Sequence, residues 1–288
     1  MISLRAIPAR RDELSAGEIA GITMEAALAK VRIAFAERTM PIGASYCHCC
    51  HDEEQMQRLL HTCPSEISDY ELEYPLLVKS YTTGLDWPSL AYYIPEILTR
   101  RAAGKYFDED MLLYKLMLAT RPDLEFSRGA KVSDYTRENM NPAERDAVLA
   151  YVQAIFDIRL HTLSYSEEED EFHELLAFLI NFDSPIAPLL ERWKQTDDLQ
   201  ARVNLCLFVT DYLLHYSDGR RFITGTYYDR DTAPLPENQA ALDALLAPET
   251  AANLLMECAE SVETVGPEWQ TGIGAAFDWA MTLARRER

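Results

Sequence analysis

Apolar residues recur along this chain at spacings of three and four. Met24, Ala27, Leu28, Val31 and Phe35 fall at i, i+3, i+4, i+7 and i+11, which predicts a helix with Thr23 placed to cap it. Phe172, Leu175, Leu176, Leu179 and Phe182 repeat the stripe behind an acidic run, Glu167 to Glu171. Acids in a first turn complement the helix dipole, so that run reads as a helix start rather than a metal site. Trp269, Ile273, Ala276, Phe277 and Ala280 form a last stripe that ends in Arg285-Arg286, where cations suit a helix C-terminus. Val148, Val152 and Ile155, flanked by Leu149, Phe156 and Leu160, predict a long helix buried on a wide face. Met111 to Leu118 is apolar except for Lys115, as expected of a central helix covered nearly all round.

Strand signals are scarce, with no sustained alternation of apolar and polar positions bounded by hairpin turns. The breaks read as helix-to-helix punctuation: Pro64-Ser65, Gly84 to Pro88, Arg121-Pro122, Asn141-Pro142, Ser184-Pro185, Ser217 to Gly219 and Gly266-Pro267. Arg220 to Glu237 is the longest irregular stretch, a functional loop or a plain cover over the core. Asp86-Trp87-Pro88 leading to Pro95, and Asp183-Ser184-Pro185 leading to Pro188, are alike enough to open the second helix of two hairpins. The expected fold is all-α, an irregular stack of ten to twelve helices paired as hairpins in the manner of an α-α superhelix. One domain over 1–288 is expected, with a Cys/His-containing subregion at 40–105 and an acidic helical region at 106–288.

Composition narrows the possible partners. The 288 residues carry 27 Lys+Arg against 47 Asp+Glu, a formal net charge of −20. Such a balance argues against the phosphate backbone of nucleic acid as a ligand. Mean hydropathy of −0.20 and the lack of a long uncharged apolar run argue against a membrane span. The charge is uneven: residues 1–105 hold 11 basic and 14 acidic side chains, residues 106–288 hold 16 and 33. The second segment is therefore −17, either a solvated surface or a docking face for a basic protein. The first residues lack the apolar core of a secretory signal, and six cysteines are too few for a disulfide-stapled scaffold. The expected compartment is the cytoplasm, with thiols mostly reduced.

Four cysteines and three histidines lie within one short segment, Cys47-His48-Cys49-Cys50-His51 and then His61-Thr62-Cys63. Cys-x-x-Cys followed by a second pair suggests a structural zinc site. Helix geometry opposes a site built from all of them. Asp52 and Gln55 form a capping box, and Met56, Leu59, Leu60 and Cys63 continue a helical stripe. Such a helix carries His61 about 14 Å from its start, whereas ligands of one zinc sit about 4 Å apart. On that stripe Cys63 is expected in the core, and His61 is placed to cap the last carbonyls. Cys47, Cys50 and His51 remain as candidate zinc ligands, with Cys49 an alternative to His51 and a remote residue or water completing the set. Three readings of this corner stay open: a zinc site, a reversible thiol sensor whose Cys50 is activated near the helix start, and reduced cysteines that simply pack a loop. Cys206, on a stripe with Leu199 and Val203, and Cys258, one turn after Leu254, read as small core residues.

His161, His173 and His215 assemble no motif, and no catalytic signature for hydrolysis or phosphate binding occurs. The segment from Tyr46-Cys47-x-x-Cys50 through Tyr81-Thr82-Thr83-Gly84 to Tyr92-Tyr93-Ile94-Pro95-Glu96-Ile97-Leu98 resembles a bacterial family of uncharacterised helical proteins. In that family an early Cys-x-x-Cys and a Thr-Gly turn precede a Tyr-Phe-Leu-Pro-Arg-Ile-like helix. Here Glu96 stands where the family pattern has a basic residue, and Cys49 is an extra thiol. The resemblance covers roughly 46–98 and implies a helical fold without implying an activity. The enzyme signal is weak, and the leading expectation is a protein that binds a basic protein partner through its acidic surface. A metal- or thiol-dependent role at Cys47 and Cys50 is the alternative, and a small-molecule pocket within the helical curve is a third.

Overall fold

The computed structural model describes residues 16–40, 52–73, 87–105, 112–113, 115–116, 140–162, 175, 179, 185–211, 213, 236–257 and 267–286. The side chains of 16–22, 73, 162, 211, 267–269 and 286 fall outside the description. Among the described residues there are ten α-helices, one 3-10 turn and no strand. The protein is all-α. In chain order the helices are α1 (Ala16–Ala34), α2 (Glu53–His61), α3 (Asp69–Glu73), α4 (Trp87–Ala102), α5 (Pro142–Thr162), α6 (Ala187–Lys194), α7 (Leu199–Asp211), α8 (Pro236–Leu246), α9 (Pro248–Glu257) and α10 (Pro267–Arg286). No described helix is long and apolar enough to cross a membrane. The chain divides into two compact units, Met1–Ile155 and Phe156–Arg288, with the division inside α5.

Proline marks the helix starts. Pro142, Pro236, Pro248 and Pro267 each occupy the first position of a helix, where a missing N–H costs nothing because that group has no intrahelical acceptor. The breaks at Asn141-Pro142 and Gly266-Pro267 therefore fall where punctuation predicts them. The stretch expected to be irregular through Glu237 ends earlier, since Pro236 and Glu237 open α8. Residues 220–235 lie outside the described residues.

In the first unit α1 packs on α4. Met24, Ala27, Leu28, Val31 and Phe35 are all buried, as their spacing predicts. Thr23 does not cap this helix: α1 starts at Ala16, so Thr23 lies within it. Phe35 meets Trp87 edge to face, with ring centroids 6.5 Å apart. On α4, Trp87, Leu90, Ala91, Tyr93, Ile94, Ile97 and Leu98 are buried. That helix ends in a Schellman turn: Gly104 sits at φ +82, its N–H donates to the Arg101 carbonyl, and the Lys105 N–H donates to that of Arg100. The described part of the 111–118 segment, Leu112, Leu113, Lys115 and Leu116, is helical and buried throughout. Burial pulls the Lys115 ammonium down to about 8 from its ordinary 10.5.

Two capping boxes organise the helix starts in this unit. The Ser68 hydroxyl donates to Glu71 Oε2 at 2.6 Å, and the Glu71 N–H returns a bond to Ser68 Oγ at 3.3 Å. Those bonds from Ser68, helped by the Arg58 charge, hold the Glu71 carboxyl below its usual range against a smaller effect of burial. At α5, Asn141 Oδ1 accepts from the Glu144 N–H and Glu144 Oε2 accepts from the Asn141 N–H, both at 3.0 Å. Glu144 is also held by Arg38, whose Nε donates to Oε1 at 2.6 Å and Nη2 to Oε2 at 3.0 Å. A bidentate pair with its carboxylate 1% exposed thus joins the turn after α1 to the start of α5.

The second unit is built around Trp193. Its ring meets Phe156 edge to face at 5.4 Å and Phe208 at 5.5 Å, and its Nε1 donates to the Ala201 carbonyl. α9 packs most extensively on α10, with α7 against both. Buried asparagines satisfy backbone groups that helix ends would otherwise leave unpaired. Asn204 Nδ2 donates to the Leu160 carbonyl at 2.9 Å, near the end of α5. Asn238 Oδ1 accepts from the Ile186 N–H at 3.0 Å. Asp198 caps α7 by accepting from the Ala201 N–H, and the same oxygen lies 3.1 Å from His161 Nδ1. His161 thus sits near the end of α5, as the sequence predicts. Cys206 is buried as expected, whereas Leu199, read onto the same stripe, is exposed because it opens the first turn of α7. Leu175, Leu179, Ile273, Ala276 and Ala280 are buried, and Phe277 is half-buried. The acidic run 167–171, Phe172, Leu176 and Phe182 lie outside the described residues, as do His173, His215 and Cys258.

Candidate functional site

Cys47, Cys50 and His51, and Cys49 with them, lie outside the described residues. The described chain resumes at Asp52, which caps α2 by accepting from the Gln55 N–H at 2.9 Å. The helix runs from Glu53 to His61, so the condition that separates His61 and Cys63 from its start is met. Met56 and Leu59 are buried and Leu60 is half-buried. Cys63 departs from the expectation of a core position. It is an exposed thiol, with Sγ 3.2 Å from Ser65 Oγ. The physical reason is that α2 stops at His61, so the helical phase that carried Met56 and Leu59 inward no longer applies at residue 63. His61 is exposed, and the Arg58 carbonyl at this end is taken by the Thr62 hydroxyl at 2.6 Å. Among the described residues, no three His, Cys, Asp or Glu side chains form a group able to hold a metal ion.

A groove of about 320 Å³ opens beside this turn, lined by Arg32, Cys63, Pro64, Ser65, Tyr92, Pro95, Glu96 and Thr99. Four of these residues, Tyr92, Pro95, Glu96 and Thr99, follow one another at i, i+3, i+4 and i+7 and so share one face of α4. The alternate positions, Tyr93, Ile94, Ile97 and Leu98, carry the core. Tyr93 anchors the arrangement by donating its hydroxyl to the Leu59 carbonyl at 2.5 Å. Burial, with Tyr92 beside it, raises its phenol above the usual range. Burial also raises the Tyr92 phenol, with Cys63 adding to the effect.

Arg100 holds the groove wall in place. Its Nη1 donates to the Ile67 carbonyl at 2.6 Å and to Asp69 Oδ1 at 2.9 Å. Its Nη2 donates to the Pro64 carbonyl at 3.0 Å and its Nε to Glu96 Oε1 at 2.7 Å. Burial works against this charge, but the bonds to Glu96 and Asp69 and their negative charges outweigh it and raise the Arg100 pKa. The turn that carries Cys63, Pro64 and Ser65 is therefore tied directly to α4. Arg32, on α1, reaches the opposite rim, where Nη2 donates to Thr99 Oγ1 at 3.4 Å. Thr99 donates in turn to the Pro95 carbonyl at 2.6 Å. The sequence marks Tyr92 to Leu98 as a segment without showing that its exposed positions form one face of a groove; the spacing alone carries that signal.

The second unit has a different character. Phe156–Arg288 contains 10 basic and 24 acidic side chains, a net charge of −14. Two of its cations are neutralised locally, Arg192 by Asp157 at 3.3 Å and Lys194 by Glu191. Burial raises the Asp157 carboxyl, against the opposing charges of Arg192 and His161. Glu237, Asp243, Glu257 and Asp278 are exposed on α8, α9 and α10, and among the described residues they carry no ion pair. Comparison with known proteins finds no matching family model, curated protein or solved structure.

Proposed function

We propose that this is a cytoplasmic helical protein that binds a basic protein partner through the acidic surface of its C-terminal helices. The observation that carries this reading is the set of exposed carboxylates on α8 to α10, Glu237, Asp243, Glu257 and Asp278, left without ion pairs among the described residues. In a unit of net charge −14 such groups raise the local concentration of a cationic partner and speed its encounter. Attraction of this kind is screened over about 8 Å at physiological salt, so complex formation falls as salt rises.

The test is native isolation of the tagged full chain at physiological and raised salt. The variant Glu237→Gln/Asp243→Asn/Glu257→Gln/Asp278→Asn runs alongside it. A basic protein recovered at physiological salt, and lost both at high salt and with the variant, supports the reading. Recovery of no partner, with no oligomer formed, removes it.

A further inference from the structure

The groove beside α4 has a chemistry unlike that of the acidic surface. We propose that it holds a small organic monocarboxylate with an aromatic or alicyclic body. The sign of the ligand charge follows from the groups that face the groove. Glu96 is compensated, because Arg100 donates to its Oε1 at 2.7 Å. Asp69, behind it, is shared between Arg100 and Lys105. Arg32 has no carboxylate partner among the described residues, and its one hydrogen bond there is the 3.4 Å contact to Thr99. Among the described residues most of the N–H groups of this guanidinium are therefore open to an acceptor, and its planar fork suits a carboxylate.

The shape of the ligand follows from the rest of the lining. Pro64, Pro95 and Tyr92 supply apolar ring surface, and Ser65, whose hydroxyl lies 3.2 Å from the Cys63 thiol, lines the groove beside them. A volume of about 320 Å³ lies near the lower end of the roughly 300–1,000 Å³ of small-molecule sites, which limits the occupant to a compact molecule. Apolar walls with a few convergent polar groups are the usual composition of such a site. The wall does not need to assemble on binding, because Arg100 already ties residues 64, 67 and 69 to α4. That preorganisation lowers the cost of ordering the site.

Cys63 lines the groove as an exposed thiol and so reports occupancy. The experiment measures its alkylation by iodoacetamide in the full chain, resolved by peptide mass spectrometry. Three isosteric probes are compared: 3-phenylpropionate, 3-phenylpropanamide and 3-phenylpropylamine. Calorimetry on wild type and on Arg32→Gln, a substitution at an exposed side chain, runs in parallel. The expected result is protection of Cys63 by the carboxylate, with affinity about fivefold above the amide and that advantage lost in Arg32→Gln. Preference for the amine would show that Glu96 sets the sign and would overturn the proposal. Equal binding of all three, an advantage that survives Arg32→Gln, or no protection by any probe would overturn it as well.

Discussion

The pair between Arg38 and Glu144 makes a sharp quantitative prediction, because its two partners differ in their access to water. Glu144 is 1% exposed and accepts three bonds, two from Arg38 at 2.6 and 3.0 Å and one from the Asn141 N–H at 3.0 Å. Arg38 is 20% exposed and lies at the edge of the same contact. Replacing Arg38 with Met keeps much of the aliphatic stem but strands a buried carboxylate, which costs about 3–5 kcal/mol. Replacing Glu144 with Gln keeps one oxygen, which can accept from both the Asn141 N–H and Arg38 Nη2 as Oε2 does, and leaves a guanidinium that can turn to water. That change costs about 1–2 kcal/mol. In the double variant no charge is left stranded, so its loss falls short of the sum by about 2 kcal/mol. Urea unfolding followed by circular dichroism at 222 nm gives the three differences. Hydrogen exchange of amides 143–155 assigns them to the first unit. Coupling within about 0.5 kcal/mol of zero, or a larger loss for Glu144→Gln than for Arg38→Met, would refute the assignment of a buried, mutually dependent pair.

Three further outcomes are expected, and a fourth measurement tests the rival reading. Gly104→Ala lowers stability by about 1 kcal/mol through backbone strain alone, because φ is +82 and no atom lies within 4 Å of the added Cβ; thermal melts of the two proteins check this. Asn204→Leu, at a fully buried position, leaves the Leu160 carbonyl without its donor and costs about 1–3 kcal/mol by urea unfolding. Lys115 has a folded pKa near 8 against an ordinary 10.5, so the unfolded chain binds more protons between those values and stability rises with pH across that window. Lys115→Met removes that rise and gains up to about 3 kcal/mol near neutral pH, read as the difference between wild-type and variant urea midpoints at about pH 7 and pH 10. Elemental analysis of protein purified without chelator tests the rival metal reading: zinc bound to wild type and lost in Cys47→Ser and Cys50→Ser would make that corner a metal site.

Helix existence was legible because burial follows a 3.6-residue period. Met24 to Phe35 and Val148 to Leu160 could be placed from spacing without knowing what they pack against. Helix starts were legible where proline or a side-chain cap marked them, as at Asp52 and Pro142. The differences arise where a period is read without the ends of its helix. Spacing makes Cys63 one more step after Leu59, but the chain has already turned at Thr62. Spacing likewise joins Leu199 to the Cys206 stripe, although its place in the first turn leaves it in solvent. Thr23 shows the converse. It suits a cap, but the helix continues through it to Ala16, so intrinsic capping preference lost to continued backbone bonding.

The groove was not legible for a different reason. Core positions announce themselves because one property, hydrophobicity, repeats along one element. A binding face made of Tyr92, Pro95, Glu96 and Thr99 has the same geometric period, but four side chains of unlike chemistry give no periodic signal in hydropathy. Its other wall comes from Arg32 and from Cys63 to Ser65, residues about 30 to 60 positions away from the first in sequence, and no local pattern joins them. What joins them is Arg100, which read alone is a basic residue in a last helical turn. Its four acceptors are visible once the backbone carbonyls of Pro64 and Ile67 are in place. Carbonyl acceptors belong to every residue and so leave no trace in composition. Sites held by side-chain-to-backbone bonds are therefore the ones that sequence spacing conceals. Here such bonds tie the turn of Cys63 to Ser65 onto α4, facing a groove where Arg32 stands without a carboxylate partner among the described residues.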